Sequence, residues 1–347
     1  MTSERCGYTW NGAELADVGE TCCWRPTWEG RPRCVWHANE RDKPRATLES
    51  LRPEPGERLD GAVIRGTALA GVEWFRDCRL VGADFTGAVL RGADFTDADV
   101  RRASFRDADL ADATFVRADL ERATFRNADL RSTDLTDARF YRALFTDAVV
   151  DNETVFGATT MYEREANSRL HSGSLEEVGD AVVWSYRTLQ RLFDANALHH
   201  QRDRYYLKEH DARRRIAWRR REYLLALRQE GSRWVMRYGT SPWRVLTTQA
   251  VVVLACALLF PLTGGIQETG VNHAVTYSVR NPSTAPWYWI FQVLFKSLYF
   301  SVITFATLGY GDIQPVGAWA RMLAGGESLV GALLMALLVF VLTRSVR

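Results

Sequence analysis

The chain has 347 residues, with 44 basic and 42 acidic side chains and a formal net charge of +2. That length excludes a single small domain and leaves room for two or three. The balance of charge gives no support to a nucleic-acid partner, and the long apolar runs are confined to the last third of the chain.

Residues 1–40 hold no continuous apolar run, so no signal peptide is expected there. Cys6, Cys22, Cys23, Cys34 and His37 crowd the same stretch. Cys34-Val35-Trp36-His37 is a C-x-x-H half-site, and with Cys6 and one of the adjacent pair it makes a Cys₃His set of the kind that holds Zn²⁺. A segment this short has no core, so metal would supply much of its folding free energy. The first half is irregularly spaced, and incidental thiols are the alternative. Residues 1–45 are a candidate zinc-binding segment. Disulfides are not expected of an N-terminus on the cytoplasmic side. Cys78 and Cys256 are given no function.

The middle of the chain repeats every five residues. Fifteen Leu, Phe or Val centres run without a break in phase from Leu80, Phe85 and Leu90 to Phe140, Phe145 and Val150. Two residues before almost every centre stands Ala, as in Ala83, Ala88 and Ala93, with Cys78 and Thr133 filling the same slot. A period of five fits neither a helix nor a strand, and a fixed short repeat points to a solenoid. The small and the large residue face inward, and the Asp or Asn between them faces out. Ile64, Leu69 and Trp74 carry the pattern upstream, one residue out of phase, which predicts a bulge near Phe75. The pattern starts near Leu59 and frays near Phe156. It resembles the pentapeptide-repeat family, A-(D/N)-L-x-x, and the resemblance implies a right-handed quadrilateral β-helix with four repeats per coil.

Residues 162–237 read as an α-helical cytoplasmic linker. Ser174 with Glu177 is a capping box, and Val178, Val182, Tyr186, Leu189 and Phe193 mark one helical face. After a turn near Asn196, a second helix rich in arginine is expected to end near Gly231. It includes Arg213, Arg214 and Arg215 and then Arg219, Arg220 and Arg221. Residues 205–237 are a candidate contact for anionic lipid, with a solvated helix as the alternative, since Glu209, Asp211, Glu222 and Glu230 lie among the arginines.

Residues 245–262 carry no charge, and residues 322–342 carry one, Glu327. Each is near the ~20 residues that cross a bilayer core. Arginines precede the first and follow the second at Arg344 and Arg347, so the positive-inside bias places both termini in the cytoplasm. Trp234, Tyr238 and Trp243 then belong to the inner interface, and Trp287, Tyr288 and Trp289 to the outer one. Residues 264–286 read as an outer loop.

Between the spans stand Thr307, Leu308, Gly309, Tyr310, Gly311 and Asp312. Backbone carbonyls aimed at a narrow axis can replace an ion's hydration shell, and alternating glycines permit the backbone that aims them. Residues 243–345 resemble two-transmembrane pore-loop potassium channels, with Leu308 where Val is commonest. The resemblance implies a pore helix within residues 286–306 and carbonyl ligands for K⁺ from Thr307, Leu308, Gly309 and Tyr310. It also implies an inner site at the Thr307 hydroxyl, with Asp312 and then Pro315 at the outer mouth. Gly331 matches the bend of the family's inner helix, with a packing glycine as the alternative. Glu327 is read as a brace to the pore helix, although intramembrane carboxylates are usually functional.

The fold class expected is therefore multidomain: the Cys/His segment 1–45, a β-helix over 59–160, the helical linker 162–237 and an all-α two-span pore domain over 243–347. The function expected is a homotetrameric potassium channel of the cell membrane, with the β-helix in a regulatory or assembly role and open to an unknown cytoplasmic protein or ligand. A weakly selective cation channel is the runner-up, and Tyr310 argues against it. Some soluble pentapeptide-repeat proteins mimic duplex DNA. Between Leu80 and Val150, however, 13 acidic and 10 basic residues leave a net charge of −3, far from one charge per ~1.7 Å. No catalytic constellation is present in the sequence, and His199, His200 and His210 read as surface residues.

Overall fold

A five-residue repeat buries one small and one large side chain per face only if the backbone turns a corner between faces. In the computed structural model, which describes residues 5–10, 21–167, 175–269, 274–278 and 288–345, it does so. Parallel bridges run from Arg79↔Asp99 to Asp129↔Val149 at a constant offset of twenty residues, one bridge every five. The result is a β-helix with four bridge positions per coil. Phe85, Phe105, Phe125 and Phe145 stack in one column at centroid spacings of 4.9, 5.0 and 5.1 Å. Phe75, Phe95 and Phe115 form a second column at 5.0 and 4.8 Å. Leu and Val fill most of the two faces between, and the inward side chains are buried.

The offset is twenty-one in the first coil, where Arg58↔Arg79, Val63↔Asp84 and Ala68↔Val89 pair. The extra residue lies between Leu69 and Phe75, as the phase break predicts. Trp74 is not the face centre there. Phe75 is fully buried in the column, while Trp74 is only half-buried, because the bulge moves the next residue into register. At the other end the coil is covered rather than frayed. Phe156 is buried against Phe193, and Asn196 bonds both Val150 N–H and the Ala148 carbonyl.

Each corner has a residue in left-handed conformation. Gly82, Gly87 and Gly92 supply the early ones, but from Asp97 to Asp147 the corners are Asp, Arg, Asn or Ser at φ of 55° to 63°. Left-handed backbone costs ~1–2 kcal/mol for such residues, offset by the continuous ladder. Where Asp precedes a centre it also contributes. Asp84, Asp94, Asp119 and Asp134 each accept the backbone N–H two residues on, at 2.8 to 3.0 Å. They are corner caps as much as surface charges.

The chain divides into two units, Met1–Arg220 and Arg221–Arg347. In the first, short strands β1 (Thr9–Trp10) and β2 (Thr21–Cys22) pair antiparallel, and α1 (Arg45–Ser50) leads into the β-helix. After it come α2 (Met161–Asn167), α3 (Leu175–Ala195) and α4 (His199–Arg219). Val182, Tyr186, Leu189 and Phe193 are buried as the face of α3 predicts. The arginine-rich helix is not one helix. It breaks after Arg219, with Arg221 left-handed at φ 60°, and resumes in the second unit as α5 (Tyr223–Met236). Arg213 pairs with Glu209 at 2.7 Å, and Arg215 pairs with Glu163.

The second unit continues with α6 (Pro242–Thr263), β3 (Ile266–Thr269), β4 (Ala274–Tyr277), α7 (Trp289–Phe305), β5 (Ile313–Pro315) and α8 (Gly317–Ser345). At 1.5 Å per residue α6 and α8 are ~33 and ~44 Å long, enough for a ~30 Å hydrocarbon core. Only 28% and 22% of their apolar windows are buried, so they are not core helices of a water-soluble fold. The expected outer loop holds two strands, which join β5 in a sheet of order β4-β3-β5. Ser174, Pro286, Trp287 and Arg347 lie outside the described residues.

Phe105→Ala should cost ~3–5 kcal/mol, since it opens a void between two stacked rings. Asp94→Ala should cost only ~1 kcal/mol, for one corner bond. Thermal unfolding of the full chain followed by circular dichroism orders the two.

Candidate functional site

The stretch 307–312 begins where α7 ends. Leu308 N–H reaches back to the Ile303 carbonyl at 2.9 Å, and Thr307 is left-handed at φ 54°, a helix stop in which Thr takes the place usually given to Gly. Gly309 at φ 52° and Gly311 at φ 78° follow, so left-handed residues alternate with Leu308 and Tyr310. Among the described residues no donor reaches the carbonyl oxygens of residues 307–311. Leu308 and Tyr310 are 55% and 66% exposed. The Thr307 hydroxyl donates to the Ala306 carbonyl at 2.8 Å.

The far end of the stretch is fixed by side chains and by the sheet. Tyr299 Oη, on α7, donates to Asp312 Oδ2 at 2.9 Å. The other oxygen, Oδ1, is buried without a partner among the described residues. The next residue, Ile313, pairs with Glu268 of β3. Glu268 in turn accepts from Lys296 Nζ of α7 at 2.7 Å and from Tyr277 Oη of β4 at 2.9 Å. The Lys296 ammonium holds the Glu268 carboxyl below its usual range. Glu268, Tyr277, Lys296 and Tyr299 were not legible as site residues. Their only sequence signal is the alternation Ile266-Gln267-Glu268-Thr269 beside a β-branched run.

Behind the stretch, α6, α7 and α8 meet at one polar point. Ser301 of α7 lies against the Val253 carbonyl of α6 at 2.8 Å and hydrogen-bonds Glu327 of α8. Cys256, given no function from the sequence, is buried in the same unit. Gly331 sits against the end of α7, where a Cβ would lie 2.3 Å from the Phe305 carbonyl oxygen. Helix α8 runs unbroken through it, and the structure shows close packing at this glycine.

At the other end of the chain, Cys6, Cys23, Cys34 and His37 bring their donor atoms within 4.8 Å of one another. Cys22, the last residue of β2, is exposed and outside this set, while Cys23, just after the strand, turns its thiol toward Cys34. The Cys34 thiol is held below the usual range by its hydrogen bond from Cys23, and further by His37, with burial opposing. Nearby, the buried Lys43 amine donates to the Val35 and Val63 carbonyls, and desolvation pushes it down to about 8.

Gly331→Ala separates packing from bending. A glycine used only as a hinge should gain ~1 kcal/mol on replacement by Ala in a helix. A glycine pressed on the Phe305 carbonyl should instead lose ~1–3 kcal/mol, and a lower melting temperature in detergent is the expected result.

Residues 275–347 match the family described as ion channel. Residues 75–107 and 108–147 match pentapeptide repeats, in eight copies. No curated protein gives a match. Among solved structures, the pentapeptide repeat protein Rfr23 from the cyanobacterium Cyanothece 51142 is 18% identical with a TM-score of 0.26, covering 32% of this chain and 95% of its own. The pentapeptide repeat protein alr5209 from Nostoc Pcc 7120 is 23% identical with a TM-score of 0.20, over 39% and 92%. QnrB1, a plasmid-mediated fluoroquinolone resistance protein, is 22% identical with a TM-score of 0.23, over 29% of this chain and 51% of its own. The chain thus spans about half the length of QnrB1. It carries an ion-channel domain and, ahead of it, a run of pentapeptide repeats that builds a β-helix.

Proposed function

We propose that four copies of this chain form a potassium-selective channel of the cell membrane, with both termini on the cytoplasmic side. One observation carries the reading: residues 307–311 alternate backbone hand and leave their carbonyls without a donor among the described residues. Carbonyls so placed can stand in for the water around K⁺. A single chain supplies one such strand, which cannot surround an ion. The exposed Leu308 and Tyr310 fit contact with neighbouring copies.

Helix α7 stops at Phe305, so its carbonyl end faces the conducting stretch and favours a cation. Glu327 acts as a brace, tying α8 to Ser301 of the pore helix. The β-helix, which we read as the right-handed quadrilateral form, is not a conduit, since its interior is filled by Phe, Leu and Ala. Its place is in assembly or regulation. Its aspartates cap corners, which does not suit a DNA mimic. Lipid contact belongs to α5 rather than to the whole arginine-rich stretch. Tyr223, Leu224, Leu227 and Trp234 are exposed within about 100° of one helical face, the pattern of a helix lying in the membrane interface.

Purified full-length protein in liposomes should pass K⁺ far faster than Na⁺, and Gly309→Ala should abolish the flux by placing a Cβ on left-handed backbone. Equal K⁺ and Na⁺ flux through the intact protein would leave the weakly selective cation channel as the reading.

Native mass spectrometry in detergent is expected to give a tetramer. Retained conduction from monomers or dimers contradicts the four-copy pore.

A further inference from the structure

We propose that Cys6, Cys23, Cys34 and His37 bind one tetrahedral zinc ion, and that this ion fastens a lid over the open first coil of the β-helix. The donor separations carry the first part. Tetrahedral zinc with bonds of ~2.3 Å to sulfur and ~2.0 Å to nitrogen needs donors about 3.8 Å apart for two sulfurs and about 3.5 Å for sulfur and nitrogen. Cys23 and Cys34 Sγ are 3.7 Å apart. His37 Nδ1 is 3.7 Å from Cys6 Sγ and 3.3 Å from Cys34 Sγ. A disulfide needs about 2.05 Å, and all four thiols of the segment are free.

The histidine is oriented for the same task. Its Nε2 lies 3.1 Å from the Asp60 carbonyl, an acceptor only, so Nε2 carries the proton and Nδ1 presents a lone pair to the sulfurs. The Tyr8 ring stacks on it at 4.2 Å. Three thiolates and an imidazole are a donor set that favours zinc over the oxygen-seeking cations.

The lid follows from what these residues touch. The first coil has no coil before it, so its outward backbone groups need other partners. Trp36, between two ligands, accepts Val63 N–H at 2.7 Å, and its ring packs edge-on to Phe75. Asp42 N–H fills the Arg65 carbonyl at 2.9 Å. His37 fills the Asp60 carbonyl, and Tyr8 lies so close over the left-handed Gly61 that a Cβ there would meet its hydroxyl at 2.2 Å. Ligands and first coil are thus one contact surface. Solenoids need capped ends, and an uncovered β edge is a template for other chains. The proposal is independent of what the pore conducts.

The test uses full-length protein in detergent. Elemental analysis should find about one zinc per chain in the wild type and in Cys22→Ser, and a loss of most of it in Cys23→Ser and Cys34→Ser. Should a ligand variant fail to fold, wild-type protein loaded with Co²⁺ decides the ligands. Thiolate-to-cobalt charge transfer with intense tetrahedral d–d bands supports the set, and octahedral or absent bands overturn it. A metal-free wild type, or zinc lost on Cys22→Ser but kept on Cys23→Ser, also overturns it. The lid is tested separately by hydrogen–deuterium exchange after chelation. Amides of Val63 and its neighbours in the first coil should exchange at least ~10-fold faster, with Phe105 and Phe115 unchanged. Bound zinc whose removal leaves Val63 protected overturns the fastening role.

Discussion

A backbone amide or carbonyl withdrawn from water has to find a partner, and this chain is arranged around that constraint. In the β-helix the ladder partners lie one coil away, while the alanine N–H groups close their corners on the carbonyl three residues back. Leu80 N–H donates to the Asp99 carbonyl, and Asp99 N–H donates back to Cys78. The ladder stabilises every interior coil and leaves both ends incomplete. At the C-terminal end α2, α3 and Asn196 close it, and at the N-terminal end Trp36, His37 and Asp42 do. In the pore unit the constraint is inverted. The carbonyls of residues 307–311 find no donor among the described residues, and that is what makes them available to a cation.

Tight corners come with a second requirement. Five residues per face leave no room for a loop, so one residue per corner is left-handed, and where an Asp stands ahead of it, as Asp94 does, that carboxylate steadies the turn. The acidic residues of the repeat therefore serve the backbone first. This accounts for a surface rich in Asp that is nonetheless threaded with arginine pairs such as Arg117–Asp97 and Arg101–Asp99. Exposed pairs of this kind contribute little stability each, so the columns of stacked rings and the ladder hold the solenoid.

The stretch 307–312 is held from three sides by elements that differ in kind. The α7 terminus fixes its start, Tyr299 and β5 fix its end, and the Ser301–Glu327 contact keeps α8 against its back. Gly264 shows how closely these parts fit. It sits at φ 138° just after α6, where a Cβ would meet the Val316 carbonyl at 2.5 Å. Only glycine lets the chain leave the first long helix and enter β3 beside the strand that follows residues 307–312.

Much was legible in the sequence because it rests on local rules. The five-residue period, the phase break before Phe75 and the two long apolar helices follow from spacing and composition alone, and residues 307–312 were marked by a family resemblance. Other features needed distant residues to meet. Spacing could not choose between Cys22 and Cys23, because the choice depends on which thiol the folded chain turns toward Cys34. Trp74 and Phe75 are adjacent aromatics, and only the stack on Phe95 decides which is the centre. The Glu268–Lys296–Tyr277 set joins three elements through side chains that look like ordinary surface residues one at a time. Glycine at 331 has the same sequence signature as hinge or as contact, and its closeness to the Phe305 carbonyl is visible only in the folded chain. Sequence by itself determined which modules this chain contains, since a repeat period or an apolar run is a property of neighbours. Tertiary structure decided which side chains act together, since that depends on geometry between residues that no short spacing connects.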